Sequence, residues 1–116
     1  MEVLPAGVYG KAQPRATIAT TSYTLGPTDM GFLLIFTSNS PITLTCPPNG
    51  TTAIASGLYV DVLQKGTGQI TFTEGAGVDI LPPVDFDPVS RGQGSRCALQ
   101  KYATDDWSLM GDLEAS

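Results

Sequence analysis

The sequence predicts an all-β fold, and three observations carry that reading. From Thr21 onward apolar and polar residues alternate with a period of two rather than 3.6. Clusters of Gly, Pro, Asn, Asp and Ser punctuate the chain at roughly 8–12-residue spacing, the pattern of a sandwich or barrel. No window of about eleven residues or more shows a helical stripe. The expected architecture is a β-sandwich or jelly-roll-like domain of about eight or nine short antiparallel strands over residues 21–116. An extended N-terminal arm, residues 1–20, precedes it. With 116 residues, 41% of them hydrophobic, the chain suits one domain with a core that needs no staples.

In the arm, Pro5, Gly7, Gly10 and Pro14 interrupt any period. Val3, Leu4, Val8 and Tyr9 are apolar for a free tail, and Lys11 and Arg15 against Glu2 give a charge of +1. Two readings stand: a frayed terminus, or a segment that docks on something which ties it down. After the arm, Tyr23 and Leu25 alternate before a turn at Gly26-Pro27-Thr28-Asp29. Gly31 to Thr37 is apolar on both faces, as a buried central strand would be. Ile42, Leu44 and Cys46 face one way, and Pro47-Pro48-Asn49-Gly50 closes that strand. A short piece, Thr52 to Ala55, comes next. Val60 and Val62, then Ile70 and Phe72, then Val78 and Ile80, supply further inward faces. Pro82 to Gly94 reads as a long loop. Arg96 to Tyr102 and Trp107 to Met110 are the last two strands, joined by a turn at Thr104-Asp105-Asp106. The expected core is Phe32, Leu34, Ile42, Leu44, Val60, Val62, Ile70, Phe72, Val78, Ile80, Leu99, Trp107 and Leu109.

Four glycines between Gly66 and Gly77 raise the question of a phosphate-binding loop. A dinucleotide fingerprint needs a third glycine and a following helix whose N-terminus holds the pyrophosphate. Gly66-Thr67-Gly68 has Thr71 at that third position, Gly75-Ala76-Gly77 has Ile80, and a strand follows each. No Gly-Lys-Ser/Thr occurs. These glycines are expected to supply positive φ in tight turns between strands.

The chain has no histidine, which removes Ser-His-Asp and Cys-His chemistry and leaves no zinc set. No catalytic residue, cofactor site or metal site is expected. Asp79, Asp85 and Asp87 form the densest acidic group, but their spacing matches no calcium loop and solvated carboxylates are the simpler reading. Cys46 is expected to be a buried, inert thiol. A Cys46–Cys97 bridge requires Cα atoms within about 7 Å, which the sequence leaves open. Trp107, Tyr102, Tyr59 and Tyr9 could form a sugar platform, although large aromatics more often pack a core. A net charge of −5 with scattered Lys and Arg argues against nucleic acid. The longest apolar run, GFLLIF, is far below the ~20 residues of a membrane span, and no signal-peptide pattern opens the chain. A cytosolic product is expected.

The order of motifs adds a resemblance. SYTLGPTDMG is followed by SPITLTCPPNG, SGLYVDVLQKGTGQITFTEGAGVDI, a segment containing RGQGSRCALQKYATDDW, and SLMGDL. Over about residues 22 to 113 this set resembles a β-rich module of tailed-bacteriophage virion proteins, found in tail fibres and small capsid-surface proteins. The resemblance implies a virion structural protein assembled in the host cytoplasm, with no enzymatic activity. A short, acidic chain with an arm is most similar to a capsid decoration (cement) protein on the capsid surface. Its implied partners are the major capsid protein and further copies of itself, a trimer before a dimer. The implied capsid-binding residues are those of the arm: Val3, Leu4, Val8, Tyr9, Lys11 and Arg15. A tail-fibre, head-fibre or baseplate domain that binds a receptor or glycan is the alternative, and an exposed Trp107–Tyr102 platform would favour it.

Overall fold

The computed structural model describes residues 12–116, which form two mixed β-sheets. Eleven strands are present among the described residues: β1 (Arg15–Ile18), β2 (Ser22–Thr24), β3 (Leu33–Phe36), β4 (Ile42–Cys46), β5 (Tyr59–Gln64), β6 (Ile70–Glu74), β7 (Asp79–Leu81), β8 (Phe86–Ser90), β9 (Arg96–Ala103), β10 (Asp106–Gly111) and β11 (Leu113–Ala115). The only helical element among them is one 3-10 turn, Pro27–Asp29, which Asp29 caps by accepting the Gly26 N–H at 2.9 Å. The first sheet runs β1-β3-β5-β9-β10-β7 and the second β11-β8-β6-β4-β2.

The first six strands alternate between the sheets, so the chain winds as three stacked coils. Strand β3 lies parallel between β1 and β5, and β4 lies parallel between β2 and β6. Parallel neighbours need a crossover connection, and here the strand of the opposite sheet provides it. The stacking aligns like with like: Leu34 on Val62, Ile42 on Ile70, and Tyr23, Leu44 and Phe72 in one row. Ser22, Thr43 and Thr71 share an outward row, as do Thr24, Thr45 and Thr73. The remaining strands close the stack. β9 runs antiparallel on β5, β10 antiparallel on β9, and β7 parallel on β10. On the other sheet β8 pairs antiparallel with β6, and β11 with β8.

Several expectations need correction. The described residues hold eleven strands, ten of them within 21–116 where eight or nine were expected, and five of the nine pairings are parallel, so the antiparallel sheet is replaced by a mixed one. A period of two fixes which side chains share a face, but it is blind to the direction of the neighbouring strand. Residues 15–18, placed in the arm, form β1 instead, with Ala16 and Ile18 against the core. The segment Pro82 to Gly94 contains β8, whose Pro88 hid it by reading as a loop signal. Thr52 to Ala55 is not a strand.

One cluster of buried residues joins the two sheets. It takes Leu34, Phe36, Val60, Val62, Ile80, Leu99, Trp107 and Leu109 from the first, and Ile42, Leu44, Cys46, Ile70, Phe72 and Leu113 from the second. The expected core residues are buried except Phe32, which is half-buried at the cluster's margin. A polar bridge also crosses it. Ser90 Oγ donates to Gln64 Oε1 at 2.6 Å and accepts from the Ile70 N–H at 2.8 Å, while Gln64 Nε2 donates to the Gly66 carbonyl at 3.2 Å. All three groups are satisfied, as buried polar atoms must be to avoid a penalty.

The glycines between Gly66 and Gly77 divide into two roles. Gly77, with φ of 76°, occupies the left-handed region as expected. Gly66 and Gly68 do not. They lie at the corner where the β5–β6 connection stacks on Thr37 to Ser40; a Cβ on Gly66 would overlap the carbonyl oxygens of Thr37 and Ser38, and one on Gly68 those of Ser38 and Ser40. Their role is close backbone approach between coils, not turn conformation.

Candidate functional site

The outward face of the six-stranded sheet is where the exposed large side chains gather. Alternation sends Val60 and Val62 of β5, and Cys97 and Leu99 of β9, into the core. Their neighbours Tyr59, Asp61, Ala98, Gln100 and Tyr102 must therefore point outward. The antiparallel register then sets two rows across three strands: Tyr59, Gln100 and Ser108, and Asp61, Ala98 and Met110. These six residues line a cleft of about 270 Å³. Its depth comes from sequence: Ala98 and Ser108 are short side chains flanked by long ones. Tyr102 lies two residues beyond Gln100 on the same face of β9, next to this lining. Tyr59 is 48% exposed and Tyr102 54%.

The polar groups of the cleft are partly committed. Asp61 Oδ2 accepts from Gln13 Nε2 at 2.7 Å, and the same nitrogen reaches the Gly31 carbonyl at 3.2 Å. Gln100 Nε2 donates to the Gly57 carbonyl at 3.1 Å. Asp61 Oδ1, Gln100 Oε1 and the Ser108 hydroxyl have no hydrogen-bond partner among the described residues. Asp61 is the single charged side chain in the lining.

Trp107 is fully buried while Tyr102 is exposed, so the two do not form a shared platform. The Trp107 indole N–H has no acceptor among the described residues, and the Lys101 ammonium sits 6.0 Å from its ring centroid. Lys101 is a buried cation that the sequence reading missed. Its place two residues beyond Leu99 in the inward alternation was the available signal. Lys101 Nζ donates to Asn49 Oδ1 and to the Ile54 carbonyl, each at 2.7 Å, fastening the segment after β4 to β9. A wider hollow of about 460 Å³ opens there, lined by Asn49, Ala53 to Ser56, Lys101 and Thr104. Its one cation is already engaged within the protein, which makes Lys101 a structural tie.

The remaining sequence candidates are dispersed. Val3, Leu4, Val8, Tyr9 and Lys11 lie outside the described residues. Arg15 begins β1 and is exposed on the outward face. Asp79 lies on β7, Asp85 just before β8 with φ of 73°, and Asp87 on β8. Among the described residues no group of three or more acidic or cysteine side chains is placed to hold a metal ion. Cys46 and Cys97 are both buried, unbridged thiols. No protein-family model, curated protein or solved structure matches the chain.

β1 and β2 are the terminal strands of their sheets. Both belong to the first coil, so two edges whose outer backbone groups have no strand partner among the described residues lie on one flank. Tyr23 of β2 fixes this flank: its ring meets Phe36 edge-on at 6.0 Å, and its hydroxyl donates to Asp29 Oδ1 at 2.7 Å.

Proposed function

We propose that the protein is a bacteriophage virion structural protein, a capsid decoration protein bound outside the head that stabilises the major capsid protein lattice. The ordered motif set suggests the class. The observation that carries the mode of action is the flank of two edge strands, β1 and β2, next to which the chain leads into residues 1–11. An exposed edge accepts an added strand, gaining backbone hydrogen bonds while side chains fill pockets. On this reading the two sheets form a β-sandwich that acts as a rigid body. Residues 1–11, with Val3, Leu4, Val8, Tyr9 and Lys11, grip a capsid subunit or a neighbouring copy. A homo-oligomer, a trimer before a dimer, presents several such segments at once, and linked binding raises avidity by about 10²–10⁴. The role is non-catalytic.

The experiment adds the protein to particles that lack it and counts bound copies after sedimentation. Deleting residues 2–11 is the informative truncation, since it spares β1. Sharply reduced occupancy by this variant, with an unchanged circular dichroism spectrum, is expected. Undiminished binding assigns attachment to the domain's own faces, and failure of the full chain to bind overturns the decoration reading. The exposed Tyr59 and Tyr102 favour a second reading, a receptor- or glycan-binding domain of a tail fibre, head fibre or baseplate.

A further inference from the structure

We propose that the cleft over β5, β9 and β10 is a binding site for a neutral saccharide. The cleft spans β5, β9 and β10, and no residue of β1 or β2 is in its lining.

Three features point to this ligand class. The first is aromatic exposure without an apolar purpose. Tyr59 and Tyr102 lie diagonally across β5 and β9, each about half exposed, with their rings on the outward face rather than in the core. A pyranose ring has a face of C–H groups that packs on an aromatic ring, and Tyr adds a phenolic O–H at the wet end. The second is the set of polar atoms without a hydrogen-bond partner among the described residues. Asp61 Oδ1 and Gln100 Oε1 are acceptors, and Ser108 both donates and accepts. All three stand on adjacent strands within two register rows, so they converge on one volume. A sugar's vicinal hydroxyls need such a mixture, with acceptors in excess. Asp61 is also held in place, because Gln13 occupies its other oxygen. The third is size and charge. A cleft of about 270 Å³ suits one or two sugar rings and falls just below the usual ~300–1,000 Å³ of small-molecule pockets. Its single formal charge is the Asp61 carboxylate, which repels sialic acids, uronic acids and phosphates. The complement is a neutral hexose or N-acetylhexosamine at a chain end, bound shallowly and weakly.

A second copy of this chain is the competing occupant of an exposed sheet face, and one experiment separates the two. The full-length protein, labelled with ¹⁵N, is titrated with glucose, galactose, mannose and N-acetylglucosamine in turn, up to tens of millimolar, the range of a weak single site. Saturable amide shifts confined to Tyr59, Asp61, Gln100, Tyr102, Ser108 and Met110, with at least one sugar, are expected. Tyr102→Ala, at an exposed position, should weaken that sugar by about tenfold, and Gln100→Leu should change the preference among the four. Absence of saturable shifts with all four overturns the proposal. So does binding that Tyr102→Ala leaves unchanged. Concentration-dependent broadening of the same amides without sugar, abolished by Tyr102→Ala, assigns the cleft to self-association and overturns it equally. Particle occupancy of Tyr102→Ala is unaffected in every case where only the saccharide site fails.

Discussion

Cys46 and Cys97 lie in the core on opposite sheets, and their environment fixes their chemistry. Burial pushes the Cys46 thiol up to about 12, with the nearby Glu74 carboxylate adding to the shift. Burial likewise raises Cys97 to about 11, with Asp112 contributing and a backbone hydrogen bond from Asp112 opposing. The thiolate is the reactive form, so both side chains should resist thiol reagents at neutral pH while the protein is folded. The same shifts set a pH dependence. Below the ordinary thiol value of 9.0 both folded and unfolded chains keep these protons, and the contribution to stability is complete. Above it the unfolded chain releases protons that the folded chain retains, so stability falls as pH rises toward 11 and 12. The limiting slope is about 1.4 kcal/mol per pH unit for each thiol. Tyr23, raised to about 12 by burial and by Asp29, acts in the same direction. Urea midpoints measured between pH 8 and about 11 should therefore decline, and the decline should be shallower in Cys46→Ala. An identical slope in that variant would mean that Cys46 is not the buried, proton-holding group described here.

The corners between strands carry information that the strands do not. At Gly68 a side chain would press into the Ser40 carbonyl of the coil below, whereas Gly50 faces open space with an ordinary φ. Gly68→Ala should therefore cost about 1–3 kcal/mol, the range for forcing extra atoms into a packed site. Gly50→Ala, which also removes backbone freedom from the unfolded chain, should be neutral or slightly stabilising. Denaturant titration of the pair checks this, and equal effects would show that the coils do not stack so closely. The pair also shows how much of the fold the sequence disclosed. Inward faces were legible, because Ile42-Leu44-Cys46 or Ile70-Phe72 can bury only one side of a strand. Glycine positions were legible too, but their purpose was not. The same residue serves a left-handed turn at Gly77 and a close approach at Gly68, and only the stacked neighbour distinguishes them. The partner of each strand was hidden for a related reason. β3 reaches β5 across the whole of β4 and its long following loop, and no local pattern encodes that pairing. The cleft was half legible. Tyr59 and Tyr102 were recognised as aromatics of interest, but the small Ala98 and Ser108 that open the space between strands carry no signal until β5, β9 and β10 are aligned.

At the scale of the molecule, the alternation of strands between two sheets makes the sheets interdependent. β1, β3 and β5 cannot align without β2 and β4 being placed, since each is the crossover for the other sheet. The single core cluster draws on both, and the Gln64–Ser90 hydrogen bond ties them again. Folding therefore has to close many long loops before the core rewards it, the circumstance in which domains fold in milliseconds to seconds rather than microseconds. It also leaves no smaller unit with a core of its own, so unfolding should be a single cooperative transition. Trp107 offers a direct check. It is the only tryptophan, fully buried, and it belongs to the six-stranded sheet alone. Its fluorescence follows the packing of the core that both sheets enclose, whereas the far-ultraviolet circular dichroism follows the strands of both sheets. The two signals should trace coincident urea curves with one midpoint and one slope, and refolding should show a main phase no faster than about a millisecond. A fluorescence transition displaced from the circular dichroism transition would mean that one sheet survives the loss of the other. The coils would then be separable units, and the interlocked winding would not be what holds the fold together.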